Sequence, residues 1–482
     1  MIVSREKVPG VVIAGLRGGS GKTIISLGIT AAWRARNITV APFKKGPDYI
    51  DAGWLSRAAG RPCYNLDTYL CAQSAVQASY LTHSQTCDVA LIEGNRGLFD
   101  GIDIEGTTST SELAKLLDLP VVLVLDCTKS TRTMAAVLMG CMQFDPDVNI
   151  CGVILNRLAG KRHEGKIRAN IERFCNIPVL GAIPKLKQED FPERHMGLVT
   201  SEEHGERDAS LIRARQVAQD NIDIDELFRL VTSFKGQGMP VVDNARQDAV
   251  PQIYTTENQN PGTNNSVVTI GVVRDSAFQF YYPDNIEALE NLGAKIEFIS
   301  PLSQSDIPDV DAIYMGGGFP ETHATQLAAN QAFKDNLKAL SRKGLPIYAE
   351  CGGLIFLGES ICLDGVVYPM TGILPLRFGL SKRPQGHGYT EVEVVNENPF
   401  YAIGDVLRGH EFRYSKVISI DYENTAMAFK MTRGKGILEK KDGFFKDNTF
   451  GTYTHIHALG TTTSCWAPSL IAKARRFKAL RE

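Results

Sequence analysis

A cysteine at position 351 stands between an apolar run, Pro346-Ile-Tyr-Ala-Glu350, and two glycines, Gly352 and Gly353, that open a helix-like stretch. A thiol on a sharp strand-to-helix turn has the outline of a nucleophile elbow. The glycines relieve crowding there, and a helix N-terminus favours negative charge. A cysteine nucleophile needs a base. Gly451-Thr-Tyr-Thr-His455-Ile-His457, downstream, offers His455 and His457. A glycine turn after another strand, Tyr314-Met-Gly-Gly-Gly-Phe-Pro-Glu321, brings backbone N–H groups at Gly317 and Gly318 that could form an oxyanion hole. Alone, Cys351 would read as a buried structural thiol. With base and glycine turn in order, it reads as catalytic.

A second constellation handles phosphate. Gly15-Leu-Arg-Gly-Gly-Ser-Gly-Lys-Thr23 follows an expected strand and opens an expected helix. Backbone N–H groups of Gly18, Gly19, Ser20 and Gly21 can close around phosphate oxygens, Lys22 adds a point charge, and the Thr23 hydroxyl can bind Mg²⁺. The usual spacing wants glycine where Leu16 stands. The segment resembles the variant loops of the dethiobiotin-synthetase and partition-ATPase group. Val89-Ala-Leu-Ile-Glu93 is an apolar strand ending in a carboxylate, well placed for the metal. Asp48 and Asp51, in Lys45-Gly-Pro-Asp-Tyr-Ile-Asp51, could bind metal or orient substrate, with turn chemistry as the plainer alternative. The expected metal ligands are Thr23, Asp48 and Glu93, with Asp51 facing substrate.

Both constellations need strands that end beside loops. The first half supplies strands at Val11–Ala14, Thr39–Phe43, Val89–Glu93, Val121–Leu125, Gly152–Leu155 and Val179–Ile183. Helical patterns fall between most of them, including Lys22 to Arg36 and Ser111–Leu117. Buried runs alternating with helices predict a parallel sheet covered on both faces. Residues 243–266, rich in Asn, Gln, Thr and Pro, read as a linker. A second α/β series begins at Val267–Val273 and continues with Lys295–Ile299, Ala312–Met315 and Pro346–Ala349. It turns more β-like after Val366, with strict alternation over Thr390–Val395.

The whole chain has 482 residues, 43% hydrophobic and 22% charged, with a net charge of −2. That length asks for more than one domain, and the charge balance gives no footprint for nucleic acid or an anionic membrane. The basic tail Lys473-Ala-Arg-Arg-Phe-Lys478 reads as a solvated helix face. No stretch is long and apolar enough for a membrane span, and the N-terminus lacks a signal-peptide core. Ten cysteines without a C-x-x-C pair suit a reducing cytosol. All but Cys351 read as small core hydrophobes.

With these residues in hand, the chain resembles the cobyrinate a,c-diamide synthases, glutamine-dependent amidases of corrinoid biosynthesis. Further matching stretches are Ile92-Glu-Gly-Asn-Arg-Gly-Leu-Phe-Asp-Gly101, Leu113-Ala-Lys-Leu-Leu117, Phe280-Tyr-Tyr-Pro-Asp-Asn285 and Arg408-Gly-His-Glu-Phe412. The resemblance runs from about Val11 to His457. It implies a P-loop, dethiobiotin-synthetase-like ATP-binding amidoligase domain over 1–242 and a class I glutamine amidotransferase domain, flavodoxin-like, over 267–482. It also implies Cys351 as glutaminase nucleophile and His455, rather than His457, as its partner. ATP and glutamine are then co-substrates and Mg²⁺ the cofactor, and Asp100 faces a tetrapyrrole acid. The acidic third member of the usual triad is typically missing in this branch, and no residue is assigned to it.

Some positions depart from the family pattern. Arg413 stands where His is frequent, and His387 replaces a usual Leu. Relatives amidate sirohydrochlorin, with or without nickel, and sirohaem, so those tetrapyrroles stay open beside cobyrinic acid. The chemistry implied is glutamine hydrolysis at one site and ATP-driven carboxylate activation at another. Ammonia would pass between them through a closed passage, and a homodimer is compatible with the sequence. A partition-type ATPase switch would explain the phosphate loop, yet would leave Cys351, His455 and the triple-glycine turn without a role.

Overall fold

The structure is a computed structural model and describes residues 7–186, 193–194, 197–198, 207–240, 267–420, 427–460 and 465–482. The chain divides into two compact units. One comprises Met1–Tyr69 and Gln73–Asp243, the other Leu70–Ala72 and Asn244–Glu482. The expected linker, 243–266, lies outside the described residues.

The first unit is built on seven strands: β1 (Gly10–Gly15), β2 (Val40–Lys45), β3 (Tyr64–Leu66), β4 (Val89–Glu93), β5 (Val121–Asp126), β6 (Ile150–Leu158) and β7 (Val179–Pro184). Their order is β3-β2-β4-β1-β5-β6-β7, and every pairing is parallel. β1, β2 and β4 are buried along their whole length, as a parallel sheet covered on both faces requires. Each expected strand is present, Val89–Glu93 with the same ends and the others with at least one end moved by one to three residues. The first helix, α1 (Lys22–Arg34), stops short of Arg36, and Asn37 at φ 61° turns the chain into the next strand.

β1 and β4 are neighbours, with Ile13 opposite Glu93. Their carboxyl ends therefore open side by side, and the loop from β1 into α1 lies over them. This is where an open α/β sheet binds its ligand. At the head of α1, Gly21 sits at φ 92°, a conformation that a side chain would strain.

The second unit has a ten-stranded sheet with a parallel half and an antiparallel half. Lys295–Ile299, Thr269–Val273, Ala312–Met315, Ile347–Glu350 and Thr449–Thr452 run parallel in that spatial order. Lys441–Lys446, Met427–Arg433, Gly386–Val394, Val406–Arg413 and His455–Ile456 continue the sheet antiparallel. A four-stranded sheet stands beside it, in the order Val366–Pro369, Ser360–Leu363, Leu376–Leu380 and Ser415–Ile420.

Strand alternation sorts the large sheet's side chains into two cores. Ile313, Met315, Ile347 and Ala349 join one. Ala312, Tyr314 and Tyr348 join the other, where Tyr348 stacks on Trp466 with ring centroids 4.7 Å apart. Trp466 opens the C-terminal helix, Trp466–Arg481. That helix buries Leu470, Ile471, Ala474 and Phe477, so the basic tail is the outer side of a packed helix.

Candidate active site

In the second unit, strand Ile347–Glu350 delivers Cys351 to the start of helix Gly352–Leu357. Cys351 has φ 46° and ψ −94°, a region that residues with a side chain rarely enter. Such a conformation costs about 1–3 kcal/mol and persists only where the surroundings dictate it. They do so here: Cys351 N donates to Thr452 O at 2.8 Å, and Gly353 N to Gly316 O at 3.1 Å. The side chain is nearly buried.

The glycine turn packs directly against this elbow. A Cβ on Gly352 would lie 3.0 Å from Gly318 N, and one on Gly317 would lie 2.6 Å from His455 Cε1. Both turns thus need glycine because backbone and imidazole occupy the space. Gly317 and Gly318 lie alongside the Cys351 turn.

His455 sits in the short strand His455–Ile456, which pairs with Val406–Arg413 through His410. The turn leading to it is held by Asp442. That carboxylate accepts from Thr452 Oγ1 (2.8 Å), Tyr453 N (3.0 Å), Thr454 N (3.0 Å) and Thr454 Oγ1 (2.8 Å). The His455 side chain is hydrogen-bonded to those of Cys351 and Glu350. Burial works to lower its pKa, but these hydrogen bonds and the negative charge beside it prevail and raise it to about 10. His457 lies elsewhere. Its Nδ1 is 3.4 Å from Cys71 Sγ and its Nε2 3.4 Å from Asp284 Oδ2, all within the second unit. The imidazole near Cys351 is therefore that of His455.

Glu350 was missed. It is fully buried, its Oε2 lies 3.0 Å from His455 Nδ1, and its Oε1 accepts from Ile456 N at 3.3 Å. The available signal was a charged residue closing an apolar strand, a place where an unpaired carboxylate is costly. Arg413, one of the departures from the family pattern, is a buried structural cation. It donates to Ser415 O at 2.6 Å and Gly436 O at 2.5 Å, and it covers the Tyr453 ring at 3.9 Å.

In the first unit, Gly18 and Gly19 are exposed on the loop, while Ser20 and Lys22 are buried. Lys22 Nζ donates to Arg17 O at 3.1 Å and Arg96 O at 2.9 Å, across the loop mouth. Thr23 Oγ1 donates to Glu93 Oε1 at 2.7 Å and lies 3.2 Å from Asp51 Oδ2. Asp51, read as a substrate residue, is thus the aspartate that reaches Thr23. Asp48, read as a metal ligand, caps helix Tyr49–Ala59 by accepting from Asp51 N at 2.9 Å. Burial, with Asp51 beside it, pushes Asp48 up to about 7. Asp100 is exposed and accepts from Gly97 N at 2.9 Å.

Lys44, also missed, stands at the centre of these acids. Its Nζ is 2.9 Å from Asp51 Oδ2, 2.9 Å from Glu93 Oε1 and 3.8 Å from Asp48 Oδ2. Burial opposes its charge, but the carboxylates hold it well above the ordinary lysine value. Glu93 Oε2 is buried with no hydrogen-bond partner among the described residues. A hard cation would satisfy it.

Two family models cover the chain. Residues 11–199 match the CobQ/CobB/MinD/ParA nucleotide-binding domain, and residues 269–463 match the CobB/CobQ-like glutamine amidotransferase domain. A cobyrinate a,c-diamide synthase of Magnetococcus marinus is 39% identical over 96% of this chain and 97% of its own length. One of Archaeoglobus fulgidus is 37% identical over 94% and 95%, and one of Methanosarcina barkeri is 35% identical over 99% and 98%. A nucleotide-binding half and an amidotransferase half joined in one chain, and matched in relatives from end to end, make this protein a member of the cobyrinate a,c-diamide synthase family, the glutamine-dependent amidating ligases.

Proposed function

We propose that the chain converts the a and c acetate carboxylates of cobyrinic acid into amides, with residues 1–242 as the ATP-binding amidoligase domain and 267–482 as the amidotransferase domain. The observation that carries this reading is the strained Cys351 turn bonded to His455, within a chain whose other unit holds a phosphate loop.

At the amidotransferase site His455 holds the proton taken from the Cys351 thiol, and Sγ attacks the glutamine side-chain carbonyl carbon. Backbone N–H groups at Gly317 and Gly318 receive the developing oxyanion. His455 returns the proton to the leaving nitrogen, ammonia departs, and a water molecule hydrolyses the thioester. At the ATP site the substrate carboxylate attacks the γ-phosphorus and ADP leaves. Ammonia then attacks the acyl phosphate and inorganic phosphate departs. The loop N–H groups and Lys22 neutralise the transferring phosphoryl group.

Thr23, Glu93 with its open Oε2, and Asp51 are the residues that would hold Mg²⁺. The described residues contain no cluster of three or more His, Cys, Asp or Glu able to bind a metal. A magnesium ion held there would find the oxygen donors it prefers. When bound, it neutralises phosphate charge. Lys44 keeps Asp51 and Glu93 turned toward the loop. Asp100, exposed on the loop after β4, would meet the tetrapyrrole acid.

The test is amidation followed by mass spectrometry. Protein, Mg-ATP and glutamine are offered cobyrinic acid, hydrogenobyrinic acid, sirohydrochlorin, nickel-sirohydrochlorin and sirohaem in separate reactions. A diamide from cobyrinic acid alone upholds the proposal. Reaction of a sirohydrochlorin-type substrate alone keeps the chemistry and overturns the substrate. Glutamine and ATP left intact overturns the catalytic reading.

A further inference from the structure

Glu350 is adjacent in sequence to the proposed nucleophile and bonded in space to the proposed base. Strand neighbours normally point to opposite faces. The positive φ at Cys351 breaks that alternation, so both side chains reach one imidazole. Among the described residues, Cys351, Glu350 and His410 bring titratable groups to His455. Cys351 and Glu350 come from the elbow, and His410, from strand Val406–Arg413, stacks on its ring at a centroid distance of 4.9 Å. Of these only Glu350 is a carboxylate. The other buried acids nearby are engaged elsewhere, Asp442 with the Thr452–Thr454 turn and Asp284 with His457.

We infer that Glu350 is the positioning acid of the glutaminase site, holding His455 with Nδ1 protonated so that Nε2 is the atom that exchanges a proton with the Cys351 thiol. The inference rests on the assignment of Cys351 and His455. Glu350 takes no proton itself. It stabilises the imidazolium formed when the thiol proton moves to Nε2, and it keeps the ring turned for the return transfer to the leaving ammonia. A strand staple to Ile456 N alone would not need a charge. A glutamine could accept that bond through its carbonyl oxygen.

The test compares wild type, Glu350→Gln, Glu350→Asp and Cys351→Ala as full chains, following glutamine hydrolysis across pH. The expected result for E350Q is a kcat lowered by about 10²-fold or more, with KM little changed. Its alkaline limb should move to lower pH, and E350D should recover part of the rate. Wild-type kcat and an unmoved limb in E350Q, with Cys351→Ala inactive, overturn the role of Glu350 alone. Hydrolysis surviving in Cys351→Ala overturns the nucleophile assignment beneath it. Should E350Q fail to fold, nitrogen-15 NMR of the wild-type histidines decides, with His455→Gln identifying the resonance. Nδ1 protonated throughout the titration upholds the inference, and Nδ1 losing its proton first overturns it.

Discussion

At the scale of the residue, the amidotransferase site is a matter of close packing as much as of charge. Gly317→Ala would place a methyl group 2.6 Å from the His455 ring, which Glu350 prevents from swinging aside. Glutamine hydrolysis should fall with kcat more than with KM, and urea unfolding should show a loss of about 1–3 kcal/mol. Cys351→Ala should abolish glutamine-dependent amidation while ammonium chloride restores product, as quantified by mass spectrometry. The proton on His455 also makes a pH prediction. Its folded pKa of about 10 exceeds the ordinary 6.5, so the stability it adds is complete below 6.5 and is lost as pH rises toward 10. The slope is at most about 1.4 kcal/mol per pH unit for one proton. Chemical unfolding at pH 7 and pH 9.5 should therefore separate wild type from His455→Gln more at the lower pH.

At the scale of the element, the chemistry sits where strands end. Thr23, Glu93, Asp51 and Lys44 converge because β1, β2 and β4 are parallel neighbours with their carboxyl ends together. Lys22→Ala should reduce ATP-dependent amidation by about 10²-fold or more while glutamine hydrolysis survives, since the proposed glutaminase residues lie in the other unit. Two glycine-rich turns and most strands were legible because turn chemistry and buried runs are local signals. The acids were less so. Whether Asp48 or Asp51 reaches Thr23 depends on which one caps the helix, and Pro-Asp spacing cannot decide that. Glu350 bonds a residue 105 positions away, a pairing that no local pattern contains. Lys44 was overlooked for the same reason, although a lysine inside an apolar strand was itself a sign.

At the scale of the molecule, two catalytic units share one chain, and the division was readable from motifs in order along it. One detail was not: Leu70–Ala72, read with the first half, belongs to the second unit. Cys71, taken as a core hydrophobe, there meets His457. Only folding brings the two together, so spacing could not reveal it. The separability of the two activities is the molecular-scale prediction, with Lys22→Ala and Cys351→Ala each silencing one activity and sparing the other.

The positive φ at Cys351 makes the proposed nucleophile a standing burden on the fold. Alanine there keeps the Cβ and the distortion, whereas glycine releases it. Cys351→Gly should therefore melt no lower than Cys351→Ala in calorimetry, against the usual ranking of the two residues in regular structure. Selection for stability alone would have discarded this cysteine. Its retention would then measure how much robustness the protein gives up for ammonia.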